Sequence, residues 1–497
     1  MIMHFLAGVM HRLEGGAGQF ELAAGFERNI AEAVRIRECD DVVTLIDTGP
    51  AVTVAQAFEQ GTDRARAVIG HGRQRIGEEG EFFVLGADAP VPYDGPRSIR
   101  ALLEGLRDRY GWAGVYEGGN IIALSDPHGL GNVSLEPGGQ FELSGAPLKT
   151  VHDTCEEVHE HLDQVREIGD ALGIGFLGLG ASPVWTRGQT PVMPKGRYNI
   201  MAPYMDKVGK YCRDMRFRTC TVQVNLDFGS EADMVQKLRV SVALQPIATA
   251  LFANSPFLEG KPNGFLSFRS EVWRDTDNAR AGMLPFVFED GMSFERYADY
   301  ALDVPMYFVI RDGRFINTAG ESFRKFLEGK LPQLPGEKPV LKDWSDHLTT
   351  IFPEVRLKKY LEMRGCDSGP WRRLCALPAL FVGLLYDQSA LDGAWDLVKD
   401  WTAAERQALR DAVPVQGLKA MIRGRTVQDV ARDMLQLSRS GLVARDEHGC
   451  KGKSEAAFLD VLDETVASGK TAAENLLSLY HGSWNCNIER VFRDYAY

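Results

Sequence analysis

The chain has 497 residues, 44% of them hydrophobic and 25% charged, with a formal net charge of −12. That length can bury a large core and that composition suits a soluble globular protein, whereas a nucleic-acid surface, which needs a basic face, is not expected. No apolar run reaches the roughly 20 residues that span a bilayer, so no membrane partner is expected either.

The first 75 residues are rich in Gly, Ala and Arg, contain no lysine and give no readable fold. Their opening, MIMHFLAGVMHRLEGG, has no basic n-region and is broken by His11 and Arg12, which argues against a signal peptide and for a cytoplasmic chain. A single catalytic domain is expected over 76–497. It starts with a strand, IGEEGEFFVL (Ile76–Leu85), followed by a helix over Ser98–Arg109 whose Ile99, Leu102, Leu103 and Leu106 share one stripe. Val115–Leu124 and Asn132–Leu143 read as further strands, and His152–Leu172 as a long helix. Gly173, Gly175 and Gly178 match G-x-G-x-x-G, but Pro183, Pro191 and Pro194 forbid the long helix a dinucleotide site needs next. These glycines are therefore expected to let a buried strand pack closely.

Arg218–Phe228 alternates so that Thr219, Thr221, Gln223, Asn225 and Asp227 share one face, and Ser230 then caps a helix. The segment Leu331–Pro339 is a surface loop. From about Gly369 the pattern is helical, over Trp371–Tyr386, Leu391–Trp401, Ala403–Ala412, Val427–Ser440 and Ser454–Ala467, with a capping box at Thr402 and Glu405. Alternating elements of this kind indicate a mixed domain in which helices cover the back of a sheet. The eight cysteines show no C-x-x-C pair and no zinc spacing, and are expected to be reduced thiols packed as small hydrophobes.

The chemistry is carried by acids at even spacing. In SLEPGGQFELSG, Glu136 and Glu142 bracket Pro137-Gly138-Gly139; on one straight strand they would stand about 20 Å apart, at about 3.3 Å per residue, unless the Pro-Gly-Gly step bends it. Glu79 and Glu81 sit at i and i+2 of the first strand, and Glu362 and Arg364 repeat that step in KKYLEMRGCD. Together with the polar strand, these acids suggest a sheet whose concave face binds hard cations, magnesium or manganese, together with a nucleotide's phosphates. Loops add Lys195 and Arg197 in MPKGRYNIM and Arg269, Arg274 and Arg280 further on, guanidinium groups suited to carboxylate or phosphate.

These segments, with LQPIATALFANSPF, GKPNGFLS, LPFVFEDG, YALDVPMYF, HLTTIFPEVRLKKYLEMRG and GPWRRLCALPAL, resemble the glutamate–cysteine ligases of plants and many proteobacteria. The resemblance implies an α+β fold, a glutamine-synthetase-like curved, mostly antiparallel sheet forming an active-site funnel backed by helices. It implies ATP, L-glutamate and L-cysteine as substrates, Mg2+ as cofactor, and γ-glutamylcysteine as product through γ-glutamyl phosphate. By motif, Glu136, Glu142 and Glu362, with Glu79 and Glu81, would be metal ligands; Gln223, Asn225 and Lys195 would face substrate; Arg197, Arg269 and Arg364 would hold substrate carboxylate or the transferring phosphate. The chain departs from the family's I-G-T-E-H-E-K at Ile76–Phe82, where Gly80 and Phe82 replace the histidine and lysine. That departure reads either as divergence or as a shifted reading frame upstream. It also motivates one alternative, a catalytically silent glutamate- or nucleotide-binding homologue; a second alternative is a ligase of this superfamily with another amine acceptor.

Overall fold

A computed structural model describes residues 74–86, 89–449 and 452–497. The region read as 1–75 lies outside them except for its last two residues, as do Cys39 and Cys450. The strand read over Ile76–Leu85 forms as β1, within a nine-stranded sheet. Its companions are β2 (Ala113–Glu117), β3 (Asn120–Ser125), β4 (Asn132–Leu135), β5 (Phe141–Ser144), β6 (Gly175–Leu177), β7 (Thr221–Leu226), β8 (Val355–Leu357) and β9 (Leu361–Asp367). The order is β8-β9-β7-β1-β5-β4-β3-β2, with β6 paired to the C-terminal part of β1, and every pairing is antiparallel.

Two strands of the sequence reading are corrected to hairpins. Val115–Leu124 turns at Gly118 and Gly119, both at positive φ (56° and 82°), a conformation glycine adopts without strain. Asn132–Leu143 breaks at Glu136–Gln140, where the Glu136 N–H donates to the Gln140 carbonyl at 2.9 Å and Gly139 takes φ 83°. The chain therefore folds back between Glu136 and Glu142, and the 20 Å separation never arises.

The helices that matter for the site are α1 (Ile99–Tyr110), α2 (Val151–Leu172), α3 (Arg197–Val208), α4 (Cys212–Arg218), α5 (Glu231–Leu251), α6 (Phe268–Val272) and α7 (Ala376–Leu385). The Ser98 and Ser230 hydroxyls cap α1 and α5 by accepting from Ala101 N–H and Asp233 N–H. The capping box at Thr402 and Glu405 is formed in full, worth about 1 kcal/mol. All ten residues of α7 are buried, and Ile76, Phe82 and Val84 of β1 join Leu102, Val158 and Leu380 in one apolar core behind the sheet. The helix read over Trp371–Tyr386 is broken at Cys375 into Trp371–Leu374 and α7. Gly178 meets the close-packing expectation: a Cβ there would lie 2.4 Å from the Gly369 carbonyl oxygen.

The cysteine expectation is corrected for one pair. Cys155 on α2 and Cys375 before α7 are joined by a disulfide, with their Cα atoms 5.4 Å apart. The two are 220 residues apart in sequence, so only the packing of these helices reveals their adjacency. Cys212, Cys220 and Cys366 are free and buried, and Cys486 is free and exposed.

Candidate active site

Strand register assembles the acids. Glu79 lies opposite Gln223 on β7 and Ser144 on β5; Glu81 lies opposite Glu142, which in turn faces Ser134 on β4. Because side chains alternate along a strand, Glu79 and Glu81 leave the face of β1 opposite to Ile76, Phe82 and Val84. They line a cavity of about 490 Å³ together with Glu136, Glu142, Gln223, Arg197, Arg269 and Arg364. Eight of the eleven residues singled out from sequence thus meet in one place. The departures Gly80 and Phe82 lie on the other face: Phe82 is 2% exposed and its ring stands edge-on to Tyr497 at 5.3 Å.

The acid wall is crowded. Glu142 is pushed up to about 8 by burial and then by Glu79 and Glu136, although Ser134 donates a hydrogen bond to it at 2.9 Å. Burial, with Glu142 and Glu136 beside it, likewise raises Glu81 well above the usual carboxylate range, against the pull of Arg269 and the Thr221 N–H at 3.0 Å. Glu79 is held by the amides of Gln223 (3.1 Å) and Asn225 (2.9 Å). Like charges gathered in a buried site are costly until a cation or protons neutralise them.

Facing them is a wall of guanidinium groups. Arg269 on α6 is 3% exposed and donates to the Arg364 carbonyl at 2.8 Å; burial lowers its pKa. Arg197 opens α3 and lies 5.3 Å from the Tyr198 ring, with its Nε buried and unpartnered. Arg216 on α4, which sequence reasoning missed, also packs against the Tyr198 ring, at 5.2 Å, and lines the cavity. Nothing in the short helix CRDMRFR marks it. Trp273, Phe308, Phe352 and Met201 add apolar lining, Trp273 and Phe352 packing beside Arg364.

The remaining three residues stand behind the wall. Lys195 donates to the Leu135 carbonyl at 2.7 Å, and burial, then Arg197, lowers it to about 8. Asn225 supports Glu79 and leaves its Oδ1 buried without a partner. Glu362 is fully buried opposite Asn225 and Arg356. Its carboxylate accepts from Arg356 Nε (2.6 Å) and Nη2 (2.7 Å), Arg364 Nη1 (2.5 Å) and Lys358 Nζ (3.1 Å). Despite the burial penalty, those three cations hold its pKa well below the usual range. Arg356 and Lys358 were missed, yet the signal exists: Arg356, Lys358, Tyr360, Glu362 and Arg364 continue one period-two alternation. Arg274 and Arg280 are absorbed elsewhere, Arg274 by Glu271 and Asp411, and Arg280 by Asp277 under the Tyr307 ring.

The donor chemistry suits a hard cation: Glu79, Glu81, Glu136 and Glu142 present only oxygen and repel one another. Among the described residues no group of three or more His, Cys, Asp or Glu already converges as a ligand set. Side-chain rotation in the acid wall would be needed to close on an ion.

The chain is 57% identical over 425 residues to glutamate–cysteine ligase B, chloroplastic, of Oryza sativa subsp. japonica, covering 85% of this chain and 84% of the relative. It is 57% identical over 427 residues to the chloroplastic glutamate–cysteine ligase of Arabidopsis thaliana, covering 86% and 80%. A crystal structure of glutamate–cysteine ligase from Francisella tularensis in complex with AMP aligns with a TM-score of 0.48 at 13% identity, over 82% of this chain and 85% of that one. The profile of glutamate–cysteine ligase family 2 (GCS2) matches residues 75–494, and the chain belongs to that family.

Proposed function

We propose that this protein joins the γ-carboxyl group of L-glutamate to the amino group of L-cysteine, driven by ATP, giving γ-glutamylcysteine in the first step of glutathione biosynthesis. The observation that carries the reading is the single cavity in which Glu79, Glu81, Glu136 and Glu142 face Arg197, Arg216, Arg269 and Arg364. Such a reaction needs no protein nucleophile. A γ-carboxylate oxygen of glutamate attacks the γ-phosphorus of ATP, ADP leaves, and the amine of cysteine displaces phosphate from the acyl phosphate. Each step needs reactants held in line and anionic charge neutralised.

The arginines supply fixed positive charge for the substrate carboxylates and the moving phosphoryl group. Arg269 and Arg364 are rigid for that task, since one donates to the backbone of the other and Arg364 is also pinned to Gln223 and Glu362. Trp273 and Phe352 pack beside Arg364 and add apolar surface to its side of the cavity. Glu79, Glu81, Glu136 and Glu142 would hold Mg2+. When bound, the metal supplies charge neutralisation of the ATP phosphates. Glu362, expected from sequence to be a metal ligand, is corrected: it is fully buried, its carboxylate is already answered by Arg356, Lys358 and Arg364, and its role is to orient those three cations.

A silent homologue was suggested by Gly80 and Phe82, and that motive is weakened by their place on the face away from the cavity. The amine acceptor is tested directly: ADP release with glutamate plus cysteine should exceed that with glutamate plus other small amino acids by at least about tenfold, the discrimination a well-fitted pocket gives. Equal rates would point to a ligase of broader acceptor range. No ADP release with any amine would refute the ligase reading.

The acid wall also predicts a pH signature. A carboxyl whose folded pKa is raised, as Glu142's is from 4.5 to about 8, stabilises least when ionised. Its contribution is intact below pH 4.5 and is lost as pH rises through 8. Thermal unfolding of the metal-free protein should therefore show falling stability across that window. Added Mg2+ or Mn2+ should recover more at pH 8.5 than at pH 6; an equal gain at both would speak against cation binding at these glutamates.

A further inference from the structure

The hairpin β2–β3 stands outside the cavity, yet its last β2 residue, Glu117, reaches across 79 residues of sequence to the start of α3. Its Oε1 accepts the Gly196 N–H at 2.6 Å. Helix α3 has no cap of its own: no side-chain cap bond is made at Gly196 and its first turn carries no acid. Glu117 satisfies one of the orphan N–H groups of that terminus and places a negative charge on the positive end of the helix dipole. Gly196 has φ −62° and ψ −32°, an ordinary helical conformation that any residue adopts. A larger residue there would instead push the Glu117 carboxylate off its N–H contact. A Cβ at 196 would lie 2.9 Å from Glu117 Oε1 and 3.6 Å from the Phe315 ring.

The residue that follows this clamp is Arg197. Its neighbour on the other side, Lys195, is tied to the Leu135 carbonyl, next to Glu136. Three consecutive residues are thus fastened to β4, fastened to the hairpin and presented to the cavity. We propose that Glu117 is a positioning residue: through Gly196 it fixes the first turn of α3 so that Arg197 meets the anionic substrate. This rests on the reading of Arg197 as a substrate contact. A misplacement of about 1 Å at such a contact can cost up to two orders of magnitude in rate.

The test is a double-mutant cycle read by steady-state kinetics with glutamate and ATP varied separately, alongside thermal unfolding. Arg197→Ala shows which substrate loses affinity. Glu117→Ala should raise the KM of that same substrate roughly tenfold and leave the other within about twofold. Glu117→Gln, whose amide oxygen still accepts the Gly196 N–H, should largely restore it. In the Arg197→Ala background, Glu117→Ala should add nothing further. Gly196→Ala should mimic Glu117→Ala, and should do no additional harm once Glu117 is already alanine, because the clashing oxygen is gone. The proposal is overturned if Glu117→Ala is kinetically silent while Arg197→Ala is impaired, if it raises both KM values alike as unfolding temperature falls, or if its effect persists undiminished without Arg197. A silent Arg197→Ala would instead remove the substrate-contact reading, and the role of Glu117 with it.

Discussion

Replacing Glu362 by glutamine is expected to destabilise the protein and to remove most of its ligase turnover together. Glu362 is fully buried and answers three cations, Arg356, Lys358 and Arg364, at 2.5–3.1 Å. A neutral amide of the same shape leaves those cations facing one another with only one acceptor oxygen between them. Breaking a buried ion cluster by removing its centre costs about 3–5 kcal/mol. Turnover should drop by about a hundredfold or more, because Arg364 loses one of the two groups that aim it and the cavity loses its charge balance. Denaturant unfolding and ADP release on the same preparation check both effects. A variant as stable as the parent would show that the cations are independently satisfied. Near-normal turnover would show that neither Glu362 nor the cations it orients serve the reaction.

Replacing Glu142 by glutamine should separate the two properties instead. Glu142 sits opposite Glu81 with Glu79 and Glu136 close by, and its ionisation is what the metal-free fold resists. One pKa unit is about 1.4 kcal/mol, so a rise from 4.5 to about 8 sets a ceiling near 5 kcal/mol at alkaline pH. Because the wall shares its protons, about 1–2 kcal/mol of stabilisation is the expected gain at pH 8.5. Below pH 4.5 there should be none, since the carboxyl is neutral in both folded and unfolded chains. Turnover should fall by about a hundredfold, because an anionic oxygen has been taken from the cation-binding wall. Higher unfolding temperature at pH 8.5 with lost activity is the signature. A less stable variant at that pH would mean that the glutamates do not repel one another in the metal-free protein.

Much of this site was legible before any coordinates. The polar alternation of Thr219 to Asn225 and the i, i+2 step of Glu79 and Glu81 mark side chains on one face of a strand, and β7 and β1 present them so. The reading failed where local pattern was ambiguous between a strand and a hairpin. Pro137-Gly138-Gly139 permits a bend, but only pairing of β4 with β5 makes it a reversal that brings Glu136 and Glu142 into one wall. Arg216 left no trace because a short amphipathic helix carries arginines for many reasons. Its use depends on where α4 is laid against Tyr198.

By itself, then, the sequence determined which residue types share a face, because periods of 2 and 3.6 are properties of the backbone. What only tertiary structure decided is which faces meet: the register that sets Glu81 against Glu142, the register that sets Glu362 against Asn225, and the hairpin carboxylate that caps α3. Those pairings join residues far apart in sequence, and the physics that selects them is the burial of the opposite face, Ile76, Phe82 and Val84 against the helices, which no local pattern encodes.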